Sequence, residues 1–197
     1  MFGTNGGLMD AFMIVLVATL AGQACGRSSL LAAQLTERSG RPVAVLAGLV
    51  LAQALLAGVW IRLGTVLAAR FTPETHGLFL AIALIFIGIG MMGPLPRSAT
   101  PYGWPRLGVF GGALIGGGAI LFADSGSLIV AAAAARSPLP WAALPGAAIG
   151  LAGAVLPAII LGERGWRRLP LRAMRVGLGV LMGLTGVVIA LAVKGLI

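Results

Sequence analysis

The chain repeats itself. The stretch from Gln23 to Gly64 recurs from Leu121 to Gly162, 98 residues further on, with Ser29, Arg38, Pro42, Gly48, Ile61 and Gly64 answered by Ser127, Arg136, Pro140, Gly146, Ile159 and Gly162. Matches of Ala and Gly carry little weight in a sequence this rich in small residues, but ordered Ser, Arg and Pro matches do. A duplication constrains the fold, because each half must form the same unit and the units must bury their apolar faces against one another. In a chain hydrophobic enough for a bilayer, duplicated halves commonly face each other around a mid-membrane site, so the repeat points to transport.

The bilayer is the expected solvent. Of the 197 residues 59% are hydrophobic and 10% charged, and a mean hydropathy of +1.04 exceeds what one soluble core of this size needs. The 14 Lys and Arg against 5 Asp and Glu give a formal charge of +9, which in a soluble protein would suit nucleic acid. Here most Arg residues fall in short gaps between apolar runs, so they read as membrane-orientation charge with no nucleic-acid partner. Lys194 is the single Lys, which with the abundant Ala and Gly points to a GC-rich bacterial genome. Cys25 is the single cysteine, so no intrachain disulfide or cysteine metal cluster can form. The opening stretch lacks Lys and Arg in its first residues and has Gly22 three before Cys25, so residues 1–26 are expected to be a retained first helix rather than a secretory signal.

About 20 apolar residues cross the hydrocarbon layer, and six segments qualify: Met9 to Gln34 with a polar interruption, Pro42 to Ala69, Thr75 to Met92, Leu107 to Ala135 with a matching interruption, Trp141 to Leu161, and Leu171 to Val193. Turns are expected at Ser39 to Pro42, Phe71 to Glu74, Arg136 to Pro140 and Gly162 to Pro170. Residues 9–92 form one repeat, 107–195 the other, and the proline-rich 93–106 the linker, all within one membrane domain. Alternate loops place Arg38, Arg41, Arg97, Arg106, Arg164, Arg167, Arg168, Arg172 and Arg175 on one side, against Arg70, Arg136 and Lys194 on the other. The first side is expected to be cytoplasmic, with both termini outside a bacterial inner membrane. Three spans per half is odd, so equivalent helices run oppositely. The predicted fold is an all-α integral membrane protein of six transmembrane helices in two inverted three-helix repeats.

The first repeat breaks at residues 23–29 and the second at residues 123–127. Polar groups and Gly at membrane depth are costly unless buried against protein or water. Gly permits local unwinding that exposes carbonyls and amides, and Ser hydroxyls can coordinate a ligand. The candidate substrate or ion site is therefore Gln23, Arg27, Ser28, Ser29, Asp124, Ser125 and Ser127. Arg27 and Asp124 come from facing breaks and are expected to pair, since either charge alone is expensive there. Such a pair is either a structural tie between the halves or a working site, with Asp124 carrying a proton and Arg27 tuning it or binding an anionic group.

The two breaks resemble the paired Glu-x-Gly-Asp-(Lys/Arg)-(Ser/Thr) motifs of the small membrane-protein family once catalogued as uncharacterised family 0016. These are the Gdt-type Golgi and bacterial cation/proton antiporters, within the lysine-exporter-like superfamily. Length, six spans, motif position and the Arg-Ser-Gly-Arg-Pro-Val turn at residues 38–43 carry the resemblance over nearly the whole chain. The first motif falls on Gln23, Cys25, Gly26, Arg27 and Ser28, keeping the basic and hydroxyl positions. The second falls on Leu121, Ala123, Asp124, Ser125 and Gly126, keeping the Asp. The resemblance implies exchange of Mn2+ or Ca2+ for protons, with Asp124 and Gln23 as metal ligands and Asp124 as the proton-coupling group. Three of four family carboxylates are replaced, and a hard divalent cation prefers several oxygen ligands including carboxylates. Export of another small solute, or a non-transporting subunit or decayed paralogue, are the alternatives.

Other residues have local explanations. Gln53 is expected to bridge helices by hydrogen bonding. Arg62 should snorkel to the interface, and His76 should be a solvated loop residue. Asp10 suits a helix N-terminus, and Trp60, Trp104, Trp141 and Trp166 sit near span ends as interfacial anchors do. Gly111, Gly112 and Gly116 to Gly118 follow no strand, so close helix packing explains them better than a phosphate loop. No nucleophile, base and orienter constellation appears, and His76 is the one histidine. The expected protein is not an enzyme and needs no cofactor; its partners are lipid and a small cation, protons or both, and a homodimer is compatible with the sequence.

Overall fold

A computed structural model describes residues 3–93, 108–124 and 126–196, with side chains from Asp10 onward except Pro73. The expected linker, with Trp104, Arg97 and Arg106, lies almost wholly outside these residues, as does Ser125. Every regular element described is helical: α1 (Gly3–Gln23), α2 (Arg27–Ser39), α3 (Pro42–Ala68), α4 (Pro73–Met92), α5 (Gly108–Phe122), α6 (Gly126–Arg136), α7 (Ala143–Arg168) and α8 (Leu171–Val193), with a 3-10 turn at Pro140–Ala142 before α7.

The helix ends follow local chemistry. Gly40 closes α2 in the left-handed conformation, its N–H donating to Thr36 O at 2.9 Å, and Pro42 opens α3 where its missing N–H costs nothing. Thr72 caps α4, accepting from the Thr75 N–H. Among the described residues four helices are long and apolar enough to cross a membrane, and the count rises to six if each bent pair is a single span. Those pairs are α1 with α2, bent by 65°, and α5 with α6, bent by 72°. Both bends fall at the expected interruptions.

One expected boundary moves. The turn assigned to Gly162 to Pro170 is helical as far as Arg168, after a kink at Gly162 with φ 66° and ψ 177°. The kink frees the Glu163 N–H, which donates to the Glu37 carboxylate at 2.9 Å, so α2 supplies a cap for the resumed helix. Gln34 and Arg167 donate to Glu163 Oε1, at 3.1 Å and 3.0 Å. Trp166, expected at the interface, packs inward with Leu30, Ala33 and Ala158. His76, expected in a loop, lies in the first turn of α4, with its N–H on Thr72 O. Arg62 lies over the Trp141 ring, 5.3 Å from its centroid.

Packing is close because small residues meet backbone, as expected for helices that cannot rely on the hydrophobic effect to associate. A Cβ at Gly48 would stand 2.8 Å from Phe110 O, and one at Gly146 would stand 2.6 Å from Phe12 O. On the α4 and α8 faces, a Cβ at Gly88 would be 2.6 Å from Gly179 O, and one at Gly186 2.7 Å from Ala81 O. Gly77 meets Val193 as Gly88 meets Gly179, so α4 and α8 run antiparallel. Further contacts join α1 to α7, α3 to α5, α2 to α7 and α3 to α6. One correspondence is uneven: α4 packs along α6, whereas α8 has no comparable seat on α2.

Candidate functional site

Gln23 ends α1 and is 5% exposed. An amide buried there must place both ends, and its surroundings decide which end goes where. The Asp124 carboxylate needs a donor, so Gln23 Nε2 donates to Asp124 Oδ2. The amide oxygen turns the other way and accepts from Ser28 Oγ at 2.5 Å. This contact joins the two breaks directly. A Cβ at Gly126 would lie 2.9 Å from Asp124 Oδ2 and 3.4 Å from Gln23 Nε2, so the glycine leaves the space in which they meet.

The serines hold the breaks open. Ser29 Oγ reaches back to Gln23 O at 2.7 Å and also lies 3.2 Å from Ala154 O on α7. In the second half Ser127 Oγ reaches back to Leu121 O at 2.8 Å, at the same repeat positions. Carbonyls that lose their helical partner at a break are satisfied by the hydroxyl six residues on. Ser28 and Ser29 are fully buried and Ser127 nearly so.

Beside this junction lies a cleft of about 440 Å³, bounded by the ends of α1 and α5, the starts of α2 and α6, the C-terminal end of α4 and the first turns of α8. Gln23, Arg27 and Asp124 line it, whereas Ser28, Ser29 and Ser127 are not among its lining residues. Of the expected ligands, three therefore reach the cleft and three hold its frame. Arg27 is exposed at the start of α2 on the same cleft, and Asp124 takes Gln23 as a partner.

Sequence reasoning missed Arg175. It stands one turn into α8, and its guanidinium donates from Nε to Met91 O at 3.2 Å, from Nη1 to Cys25 O at 3.1 Å and from Nη2 to Gly90 O at 3.2 Å. These are carbonyls of the last turn of α4 and of the first break, left without helical donors and carrying the negative end of each helix dipole. Arg175 also lines the cleft and interacts electrostatically with Asp124 and Arg27. Its signal was its place inside the apolar run Leu171 to Val193, where an arginine is expensive without a partner; counting it with the loop arginines hid that.

Gln23 and Asp124 are neighbours, as a shared metal would require, but the amide presents N–H to the carboxylate. Among the described residues no group of three His, Cys, Asp or Glu side chains comes together to hold a metal ion. Asp124 is the single carboxylate among the residues lining the cleft, opposite two guanidiniums. No protein-family model, curated protein or solved structure matches the chain.

Proposed function

We propose that the protein is a secondary transporter of the bacterial inner membrane, with two inverted three-helix halves that pass a small solute at their paired breaks. The observation that carries this reading is the contact of Gln23 with Asp124, which brings both interruptions onto one cleft. Equivalent positions support the duplication: Gly48 meets Phe110 as Gly146 meets Phe12, and Ser29 bonds Gln23 as Ser127 bonds Leu121. The equivalent helices α4 and α8 pack antiparallel, which suits inversion. With the arginine-rich loops cytoplasmic, the cleft lies toward that side, and Asp124 is the proton-coupling carboxylate.

The resemblance to the Gdt-type antiporters makes Mn2+ or Ca2+ the cargo, exchanged for protons with Asp124 and Gln23 as ligands. The two guanidiniums on the cleft favour the second reading, another small solute, because like charge repels a divalent ion and one carboxylate compensates poorly. Flux in proteoliposomes, with calcium, manganese and a panel of organic solutes and with a pH dye inside, tests both. Asp124→Asn should abolish coupled flux while leaving the protein folded; undiminished coupled flux would remove Asp124 from the mechanism. A protein that moves none of the panel would be better described as a non-transporting subunit.

A further inference from the structure

Building on the transporter reading, we infer that the cleft takes a small organic acid, with its carboxylate at Arg27 and Arg175 and its apolar body against α4 and α5. The protein supplies its own cation where a transported one would sit. Carbonyl oxygens exposed at a helix break and at a helix end are the usual partners of a dehydrated ion. Here those of Cys25, Gly90 and Met91 are already engaged by the guanidinium of Arg175. A tethered cation cannot be transported, and it turns a cation seat into the floor of an anion seat.

The remaining features agree. Arg27 is exposed on the same cleft, and a planar guanidinium matches the geometry of a carboxylate, whose two oxygens it can meet in bidentate fashion. The N-terminal turn of α2 opens beside it with no side-chain cap, because its cap residue is Gly26, and the hydroxyls of Ser28 and Ser29 are turned to Gln23. That leaves the positive end of the helix facing the same side as Arg27. Asp124, the counter-charge, already accepts from Gln23. The cleft also has apolar lining, with Phe86, Ile87 and Ile89 of α4 and Ile120 of α5. The cleft volume of about 440 Å³ falls in the range of ordinary small-molecule sites.

The test uses the full chain in detergent and in proteoliposomes, with acetate, lactate, benzoate and phenylacetate as carboxylate probes, benzamide and benzylamine as neutral and cationic counterparts, and inorganic phosphate and MnCl2 alongside. Calorimetric titration should give saturable binding of at least one carboxylate, with benzamide and benzylamine at least ten-fold weaker than benzoate. Arg27→Gln, at an exposed position that should not disturb folding, should weaken the carboxylate at least ten-fold, and Arg27→Lys should recover part of the loss. Arg175→Lys keeps a charge on the floor should Arg175→Gln fail to fold, and should weaken binding by losing the planar fork. Carboxylate binding indifferent to Arg27→Gln overturns the inference, as does tighter binding of phosphate than of any carboxylate, or saturable manganese binding with none for the acids. The two readings fail separately. Carboxylate binding without flux of any solute retires the transporter and keeps this site, whereas manganese flux without carboxylate binding does the reverse.

Discussion

A single amide ties the two breaks of the chain to each other. Gln23 satisfies Asp124 with one end and Ser28 with the other while almost wholly buried. Replacing it with Ala takes this partner from the Asp124 carboxylate and leaves the fully buried Ser28 hydroxyl without its acceptor, the latter a change worth about 1–3 kcal/mol. Gln23→Ala should therefore lower the thermal midpoint in detergent, and by more than Ser29→Ala, whose hydroxyl meets only backbone carbonyls, Gln23 O at the break and Ala154 O within α7. An equal or smaller effect for Gln23→Ala would mean the junction is not held this way. The residue chemistry was partly legible beforehand. Gln23, Arg27 and Asp124 stood out as polar groups inside apolar runs, and all three reach the cleft. The serines stood out for the same reason yet hold the frame, because sequence cannot tell a hydroxyl aimed at a ligand from one returning to its own backbone. Arg175 escaped notice because three carbonyls from distant elements make its position tolerable, and only the folded chain brings them to one place.

Elements were legible where glycine or proline punctuates an apolar run. Both broken helices and the turn between α2 and α3 fall where the sequence puts them. The continuation of α7 past Gly162 was not, because the cap that restarts it comes from Glu37 on another helix. The close packing of α3 on α5 and of α7 on α1 uses an equivalent glycine in each, beside others such as Gly150 on α7 and Gly117 on α5. At Gly48 and Gly146 an added methyl would meet a carbonyl oxygen of the neighbouring helix at 2.8 Å and 2.6 Å. Backbone cannot step aside as a side chain can, so the helices must part, at about 1–3 kcal/mol for overpacking of this kind. Gly48→Ala and Gly146→Ala should each lower the unfolding midpoint to a similar extent. Gly58→Ala, facing open space on the same helix as Gly48, should not. Thermal unfolding of the three variants decides the matter, and a clearly unequal cost for Gly48 and Gly146 would count against equivalent seats.

At the scale of the whole molecule, near-equivalence is interrupted at one place: α4 rests along α6, and α8 lacks the matching berth on α2. If the halves are interchangeable, a second arrangement of equal merit follows from trading those roles, with α8 settled on α2 and α4 lifted from α6. The cleft beside the end of α4 would then shut, and a twin would open at the other membrane face without any new contact type being invented. Spin labels at Ile85 on α4 and Leu128 on α6 should move apart under a solute or proton gradient, while labels at the equivalent Gly183 and Leu30 draw together. Pairs that both stay fixed would leave the α4 and α8 pair a rigid wall. A chain of 197 residues would thus encode two shapes with one set of parts, its lopsidedness at rest being the record of which shape is in force.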